Sequence, residues 1–260
     1  MKRSPYRLQS MALLALNRLR VRPQRLPLFA PPMLLWTGGR ALSHIYKDVF
    51  VNHAYASLEP LPPNPRILDA GAHLGLATLF FLDHYPGARV TTVEANPATA
   101  ALLRKNLRRH RRRVTLIEKA LATRSGRASF FVTRVNPVNV NAGLRRRERT
   151  DTPVDEIEVE LIDVAEVIDG PFDFAKIDIE GAEYDILTSE RFTPDVVRSM
   201  VVEFHDVDRD RAALDDILAL LVDQRGYTLS DHAGRPLDRR HLTLEGDAVL
   251  LRLGRPTGRA

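Results

Sequence analysis

The sequence predicts an α/β protein built on a mostly parallel seven-stranded sheet with an antiparallel last strand. At residues 66–82 a short apolar strand runs through a glycine turn into a helix. Beyond that unit, apolar runs alternate with helical patterns, and such alternation builds a parallel sheet with helices on both faces. The last two strands, at 227–229 and 248–251, have no helix between them, so we expect them to pair antiparallel.

Local signals place the remaining elements. Pro86 and Gly87 end the first core helix, Pro97 suits the first turn of the second, and Gly226 closes the last. Predicted strands lie at 67–68, 90–93, 114–117, 128–132, 157–161, 172–177 and 201–204, and a further short strand precedes them at 49–51. Predicted helices lie at 74–85, 97–110, 162–168, 181–187 and 209–224. The polar stretch 136–153 has no clear periodicity, which predicts a lid or binding loop.

The 260 residues are most simply one domain with extensions, because a chain of this length buries one full core. Four prolines between positions 60 and 65 mark a boundary. We therefore expect an N-terminal extension at 1–60, a main domain at 61–254 and a tail at 255–260. The extension is a basic arm with one amphipathic stretch at 8–19. That stretch is expected to dock as a helix on its own domain, where the extension covers part of the cleft; a membrane surface or a partner is the alternative.

Composition excludes several classes of function. With no cysteine there is no disulfide framework, thiolate zinc site or cysteine nucleophile. No apolar run approaches the length of a membrane span, and the apolar stretch 11–16 is too short for a signal peptide. A cytoplasmic protein is therefore expected. The oligomeric state stays open.

The net charge of +5 comes almost entirely from arginine, concentrated at 104–113 and 145–149. A nucleic-acid surface should also carry aromatic stacking residues or a recognised binding module, and neither accompanies these runs. We interpret the runs as solvated surface and expect no nucleic-acid partner.

The glycine turn after the first core strand indicates a ligand site. A helix that begins at such a turn offers free backbone N–H groups to an anionic group. The spacing of Gly71 and Gly75 resembles a dinucleotide fingerprint, but 72–74 lacks the second glycine that admits a pyrophosphate. This favours a ligand such as S-adenosylmethionine, with its carboxylate on the helix terminus and its sulfonium near Asp69. The alternative is an ordinary turn with a packing glycine.

Glu94 follows the second core strand, roughly twenty residues past the turn, where an acidic side chain binds ribose hydroxyls. One carboxylate can accept from both hydroxyls, which is why the position needs Asp or Glu. Alone, Glu94 could equally be a neighbour of a helix N-cap. Together with Asp69 and Gly71 it supports the adenosyl ligand.

The string Lys176-Ile-Asp-Ile-Glu-Gly-Ala-Glu183 places three charged side chains at the end of a buried strand. Lys176, Asp178 and Glu180 alternate with apolar residues, so they should share one face at the ligand crevice. Charges at such a position are often functional. The alternative is that Lys176 neutralises the two carboxylates and that Glu183 starts the following helix.

Glu203-Phe-His205-Asp206 occupies the equivalent position on the next strand. His205 is a candidate general base, and a solvent-facing loop residue is the alternative. The carboxylates could instead hold a hard cation such as Mg²⁺. The metal candidates are Asp178, Glu180, Glu203 and Asp206.

At this point the motifs resemble those of the FkbM-family methyltransferases. The segments that carry the resemblance are 48–52, 68–75, 93–97, 120–126, 176–183 and 202–205, a little over half of the chain. The resemblance implies a class I, Rossmann-like methyltransferase that uses S-adenosylmethionine. It also implies that the cofactor site contains Asp69, Gly71, Ala72, His73, Gly75, Glu94, Ala95, Asn96 and Ala120, with Ala120 near the adenine. His73 and Ala95 depart from the family pattern, which usually has asparagine and proline there.

The resemblance further implies that Asp178, Glu180 and His205 face the methyl group and the acceptor. We expect an O-methyltransferase that acts on a hydroxyl of a sugar, glycan or secondary metabolite. Three alternatives stay open: an N-methyltransferase, a non-catalytic cofactor-binding partner protein, and an NAD-dependent oxidoreductase. The missing glycine counts against the last of these.

Overall fold

The structure is a computed structural model that describes residues 5–18, 26–29, 32–35, 41–134, 142–145, 153–242 and 246–255. The first elements are α1 (Pro5–Arg18), β1 (Leu26–Phe29), β2 (Pro32–Leu35) and α2 (Ala41–Phe50). The next are β3 (Arg66–Ala70), α3 (Leu76–His84), β4 (Arg89–Val93), α4 (Pro97–Leu107), β5 (Val114–Ile117), β6 (Ala120–Ala122), β7 (Gly126–Thr133) and β8 (Val154–Asp163). The last are α5 (Val164–Val167), β9 (Phe174–Ile177), α6 (Glu183–Ile186), β10 (Met200–His205), α7 (Arg211–Leu218), β11 (Thr228–Ser230) and β12 (Ala248–Gly254).

The main sheet has seven strands in the order β11-β12-β10-β9-β3-β4-β5. Strands β10, β9, β3, β4 and β5 are parallel, and β12 pairs antiparallel with both β10 and β11. The predicted sheet, with its antiparallel last strand, is confirmed. The chain runs outward from β3 to β5 and then returns to β9 beside β3. Ligands of open α/β sheets bind at such a switch point, beyond the carboxyl ends of the strands.

The central strands are buried on both faces because their neighbouring residues point to opposite sides of the sheet. Ile67 and Phe174 pack among α2, α3 and α4, whereas Leu68 and Ala175 pack among α6 and α7. Continuous apolar strands of this kind are typical of a parallel sheet covered by helices. The core therefore fixes the strand ends that carry the polar residues.

A second, three-stranded sheet has the order β6-β8-β7. The predicted strands at 128–132 and 157–161 are present as β7 and β8, but they pair with each other outside the main sheet. Strand β8 alternates, with Glu156, Glu158 and Glu160 exposed. Its inner face and that of β7 bury Val159 and Phe130 in a separate apolar cluster. This small sheet forms one wall of the cavity described below.

The predicted strand at 49–51 is wrong, because this segment belongs largely to helix α2. Tyr46, Val49 and Phe50 are spaced as one face of a helix and are almost fully buried. Phe50 packs edge-on against Phe80 of α3. The predicted amphipathic stretch is present as α1, and Tyr6 of that helix stacks on Phe50. Helix α1 is therefore docked on its own domain.

Part of the arginine excess has structural partners. Arg113 donates to the carbonyls of Leu82 and Pro86 at the end of α3. Arg104 pairs with Glu118, which follows β5. Of the predicted loop 136–153 and the basic run 145–149, only Ala142 to Arg145 and Pro153 lie among the described residues.

Within the described ranges, no helix is both long and apolar enough to cross a membrane. The cytoplasmic location stays a prediction.

Candidate active site

A cavity of about 480 Å³ opens beyond the carboxyl ends of the central strands. Its lining comes from the glycine turn, from the residues that follow β4 and β9, from the last residues of β10, from the small sheet and from α2. Of the predicted site residues, those in the lining are Gly71, Ala72, His73, Glu94, Ala95, Asn96, Ala120, Asp178, Glu180, Glu203 and His205. The topology thus brings most of the predicted residues to one space.

The two glycines of the turn allow close backbone packing. Gly71 has φ +77°, and a Cβ there would lie 1.7 Å from the carbonyl oxygen of Asp178. Gly75 has φ +88°, and a Cβ there would lie 2.7 Å from Leu103 of α4. Both positions therefore need glycine. Gly71 lines the cavity, whereas Gly75 serves the packing of α4 behind it.

Asp69 lies beneath the turn and is fully buried. It accepts a 2.6 Å hydrogen bond from Thr78 Oγ1, and its other oxygen is 3.6 Å from Lys176 Nζ. Burial raises the pKa of Asp69, and Lys176 and Thr78 oppose that shift. The structure thus places Asp69 in the support of the turn and not in the cavity wall.

Lys176 joins the ends of β3 and β9 from below. Its side chain is only 3% exposed, and Nζ donates to Gly71 O at 2.7 Å and to Asp178 Oδ2 at 3.1 Å. Burial would lower the pKa of Lys176, but the charges of Asp178 and Asp69 outweigh it and raise the pKa. The geometry therefore shows Lys176 in the neutralising role considered above. Its ammonium also holds the carboxylate of Asp178 at the cavity.

Glu94 is held by two backbone N–H groups. Its Oε2 accepts from His73 at 2.8 Å and its Oε1 from Asn96 at 2.9 Å. Burial raises the pKa of Glu94 to about 7, and the two backbone hydrogen bonds oppose this shift. Asn96, not Glu94, caps α4, by accepting from Ala98 N at 3.0 Å. Each oxygen of Glu94 keeps a second lone pair for a ligand.

An apolar slot adjoins Glu94. Ala95 and Ala120 form part of it, together with Leu121 and Phe130. Ala142 and Leu144, from the described part of the predicted loop, complete it. A flat apolar group would fit this slot.

His205 is the centre of the second polar group of the cavity. It is 5% exposed, so the solvent-facing alternative is wrong. Its Nδ1 is 2.8 Å from Glu183 Oε1. Its Nε2 lies 3.7 Å from Asp178 Oδ1 and 3.7 Å from Glu180 Oε2, beyond hydrogen-bond distance. Among the described residues, ligand atoms of Asp178, Glu180 and His205 converge within 4.8 Å of one another.

The metal candidates separate in the structure. A carboxylate oxygen of Glu203 lies 3.9 Å from His205 Nε2, so Glu203 adjoins the cluster. Asp206 is not among the converging residues. Its backbone turns into the left-handed region directly after β10, at φ +53°, so the alternation that keeps Glu203 and His205 together ends before it.

The charges around His205 determine its protonation. Burial alone would lower the pKa of His205, but the hydrogen bond to Glu183 and the charges of Glu180, Glu183 and Asp178 raise it to about 9. The imidazole therefore carries a proton at neutral pH. Burial, followed by the charge of Asp178, raises the pKa of Glu203.

Glu183 holds the loop that carries Glu180. It is fully buried, and its carboxylate accepts from Ile179 N at 3.0 Å and from Gly181 N at 2.8 Å. Glu180 has φ +59°, an uncommon conformation for a residue with a side chain. The sequence placed Glu183 at a helix start, which is correct. Its contacts with the loop and with His205 were missed, although it stands in the same string as Lys176.

Tyr55 is a cavity residue that the sequence analysis missed. Its hydroxyl lies 3.3 Å from Glu203 Oε2 and 3.5 Å from Asp178 Oδ2. It belongs to the segment between α2 and β3, where no periodic pattern distinguishes it. Only the three-dimensional contact with β9 and β10 reveals it.

Comparison with known proteins identifies the family. A family model described as "Methyltransferase FkbM domain" matches residues 69–229, more than half of the chain. The chain belongs to the FkbM methyltransferase family. It is therefore a methyltransferase, and the sheet order described above is the predicted class I fold.

Relatives of this FkbM chain are similar over most of their length. "Methyltransferase sdnD" of Sordaria araneosa is 28% identical over 193 residues, which cover 61% of this chain and 73% of that protein. "31-O-demethyl-FK506 methyltransferase FkbM" of Streptomyces tacrolimicus is 27% identical over 208 residues, 68% of this chain and 78% of that protein. A crystal structure of "Methyltransferase FkbM" from Methylobacillus flagellatus KT is 16% identical with a TM-score of 0.49, covering 82% of this chain and 52% of that one.

Replacing Lys176 by Met should lower the free energy of unfolding by about 3–5 kcal/mol, because Asp69 and Asp178 would keep buried charges without a cation. Lys176 lowers the pKa of Asp178 and opposes the rise in the pKa of Asp69, so both pKa values should rise when the ammonium is removed. The folded variant then binds more protons than the unfolded chain. The deficit relative to the native chain should then shrink as the pH falls from 8 to 5. Urea unfolding at the two pH values measures this.

Two variants serve as controls for that measurement. Asp69→Asn in the Lys176→Met background should recover part of the loss. Arg127→Met removes the exposed pair of Arg127 with Glu158 and should cost no more than about 1 kcal/mol. A Lys176→Met loss as small as that of Arg127→Met would contradict the structural role of Lys176.

Proposed function

We propose that this chain is an S-adenosylmethionine-dependent O-methyltransferase whose acceptor is a hydroxyl of a sugar, glycan or secondary metabolite. The observation that carries the proposal is that Glu94 and the group of Asp178, Glu180 and His205 line the same cavity from neighbouring strand ends. The relative named as a 31-O-demethyl-FK506 methyltransferase supports oxygen as the target.

The residues of the cavity fit the proposed cofactor. Glu94 would accept from the two ribose hydroxyls with the lone pairs that its backbone partners leave. The apolar slot beside it, which includes Ala95 and Ala120, would take the adenine. The turn at Gly71, Ala72 and His73 would bind the methionine end of the cofactor. Asn96 caps α4 and so fixes the part of the cavity wall next to Glu94. Asp69 and Gly75 act from behind, by supporting the turn.

The chemistry is a direct displacement. When bound, S-adenosylmethionine supplies a methyl carbon to which the acceptor oxygen bonds as the carbon–sulfur bond breaks, with the electron pair remaining on sulfur and the hydroxyl proton leaving the oxygen. Asp178, Glu180 and His205 would orient the acceptor beside the methyl group. Holding two reactants in line can lower a barrier by on the order of 7–11 kcal/mol. With a pKa of about 9, His205 gains the capacity of a base only as the pH rises toward that value.

A divalent cation is the further cofactor that we propose for this site. The predicted Mg²⁺ set becomes Asp178, Glu180 and His205, with Glu203 beside them. Glu183 holds Nδ1, so Nε2 is the ring atom that faces the carboxylates, as in histidines that bind metals. A cation there would replace the Nε2 proton that the imidazole otherwise carries at neutral pH. Carboxylates suit Mg²⁺, and the imidazole nitrogen adds a preference for first-row transition ions such as Mn²⁺. A cation there would lower the pKa of the acceptor hydroxyl.

The alternatives differ in what they require of the site. An amine acceptor would need no strong base, so an N-methyltransferase would tolerate loss of His205. A non-catalytic partner protein would bind the cofactor and transfer nothing. An NAD-dependent enzyme would need room for a pyrophosphate at 72–74, where no glycine stands.

The extension at 1–60 is proposed to cover part of the cleft. His44, Ile45, Asp48 and Val49 of α2 line the cavity and support this. The main domain at 61–254 would then bind the cofactor, while the extension and the loop 136–153 would select the acceptor. Small molecules and glycans stay the expected acceptors, and a nucleic-acid acceptor is not expected.

The chain should bind S-adenosylmethionine and S-adenosylhomocysteine, and not NAD, in titration calorimetry. Glu94→Gln should weaken cofactor binding by about 1–3 kcal/mol, since it removes a charged hydrogen-bond acceptor. The affinity of the native chain should fall as the pH drops below about 7, where Glu94 takes up a proton. Glu94→Gln should lack that dependence.

Glu118→Gln is the matched control, because Glu118 is a carboxylate that pairs with Arg104 outside the cavity lining. It should bind the cofactor as the native chain does. Tight binding of NAD with no heat from S-adenosylmethionine would overturn the proposed function.

His205→Ala should lower methyl transfer to hydroxyl acceptors by roughly 10²–10⁴-fold, the range expected for loss of a group that assists proton removal. Its affinity for S-adenosylhomocysteine should stay within about 2-fold of that of the native chain, because the cofactor would be bound by Glu94 and not by His205. The exposed His241 provides the control, His241→Ala, with unchanged transfer. Formation of S-adenosylhomocysteine with a panel of sugars and phenols measures both.

The same assay tests the cation. Dialysis against a chelator should abolish transfer, and Mn²⁺ or Mg²⁺ should restore it. Full activity after chelation would remove the cation from the proposal, and native transfer to hydroxyls by His205→Ala would remove His205 from the proton-transfer step.

A further inference from the structure

We propose that Tyr55 is an acceptor-binding residue of the methyl-transfer site and that Arg252 is the residue that positions it. The proposal rests on the proposed function for the identity of the acceptor. Both residues lie outside 69–229, the range that the family model matches. This chain would therefore complete its site with parts from beyond that range.

Tyr55 lies next to the place where an acceptor hydroxyl would bind. Its ring lines the cavity, and its hydroxyl is beside both Asp178 and Glu203. Lys176 Nζ, which holds Asp178, is 5.4 Å from the centre of the Tyr55 ring. The phenol is thus part of the same polar wall as the predicted catalytic carboxylates.

The Tyr55 hydroxyl is held only loosely by the two carboxylates, so it could turn to a ligand oxygen beside them. Hydrogen bonds from a hydroxyl to a carboxylate are usually about 2.5–2.7 Å long, whereas these two contacts are 3.3 Å and 3.5 Å. Catalytic hydrogen bonds are often long before the substrate binds and shorten in the complex. An acceptor hydroxyl bound beside both groups would donate to Glu203 and accept from Tyr55. Its second lone pair would then be turned to the methyl group.

The phenol of Tyr55 has one O–H donor, and this donor would bind the acceptor oxygen. Burial raises the pKa of the phenol above its usual value, and the charges of Asp178 and Glu203 act in the same direction.

Arg252 fixes the backbone on both sides of Tyr55. Its guanidinium donates at 2.6 Å to the carbonyl of Ala54 and at 2.6 Å to the carbonyl of Ala56. Arg252 is 5% exposed and lies on β12, opposite Val201 of β10. Strand β10 also carries Glu203 and His205. Arg252 therefore fixes the position of Tyr55 relative to β10, the strand that carries Glu203.

The experiment compares Tyr55→Phe, Arg252→Lys and the double variant in kcat/KM for the acceptor. Tyr55→Phe should lose roughly 10–100-fold, because misplacing an acceptor by about 1 Å has effects of that size. Arg252→Lys keeps the charge but cannot reach both carbonyls, so it should lose activity in the same direction. The double variant should have a kcat/KM no lower than that of the less active single variant, since both changes act on one contact.

Two variants match these in chemistry but lie away from the cavity. Tyr227→Phe removes a buried hydroxyl bonded to Val197 O, and Arg225→Lys disturbs a guanidinium that donates to the carbonyls of Leu187 and Thr188. Both should lose stability without losing kcat/KM. All variants should bind S-adenosylhomocysteine within about 2-fold of the native chain, which separates this proposal from a defect of the cofactor site.

A measurement without turnover tests the positioning itself. In protein labelled with 3-fluorotyrosine, the fluorine resonance that Tyr55→Phe removes should move in Arg252→Lys and stay in place in Arg225→Lys. A resonance that does not move, or activity losses that add in the double variant, would overturn the role of Arg252. Native kcat/KM in Tyr55→Phe would overturn the role of Tyr55 and leave the proposed function standing. A native chain that transfers methyl to no hydroxyl would overturn the proposed function, and the acceptor role of Tyr55 with it.

Discussion

The buried ammonium of Lys176 is the interaction on which the site depends. It bonds the carbonyl of Gly71 and the carboxylate of Asp178 and lies near that of Asp69, so one cation joins the turn after β3 to the end of β9. The turn can approach β9 this closely only because residue 71 has no side chain. Two carboxylates at neighbouring strand ends would repel each other without the cation. The switch point of the sheet is therefore held together electrostatically as well as by the apolar core.

A second constraint acts on the acceptor side through Glu183. One buried carboxylate bonds the loop before α6 and the imidazole of His205, which fixes the direction of Nε2. The loop keeps Glu180 in a left-handed conformation, a strain of the kind that rigid surroundings maintain at functional sites. The residues proposed to bind the cofactor and those proposed to bind the acceptor thus have separate supports. This is why changes at Glu94 and at His205 are expected to affect binding and transfer separately.

The sequence predicted the main sheet well because the spacing of apolar residues and the glycines and prolines that end elements are local signals. The residues at strand ends, such as Glu94 and Asp178, followed from the positions of the strands. The prediction failed at 49–51, where two apolar residues of a helix read as a strand, and it did not show that β7 and β8 form their own sheet. The sequence also did not show that Asp69 is buried behind the cavity wall, under the glycine turn. Tyr55 was missed because its role comes from contacts over more than a hundred residues, which no local pattern encodes.

A crystal structure with S-adenosylhomocysteine tests these roles most directly. We expect ribose hydroxyls on the carboxylate of Glu94, adenine in the slot with Ala120, and the sulfur on the side of Asp178 and His205. A nucleoside bound away from Glu94, or a sulfur that faces away from His205, would contradict these roles.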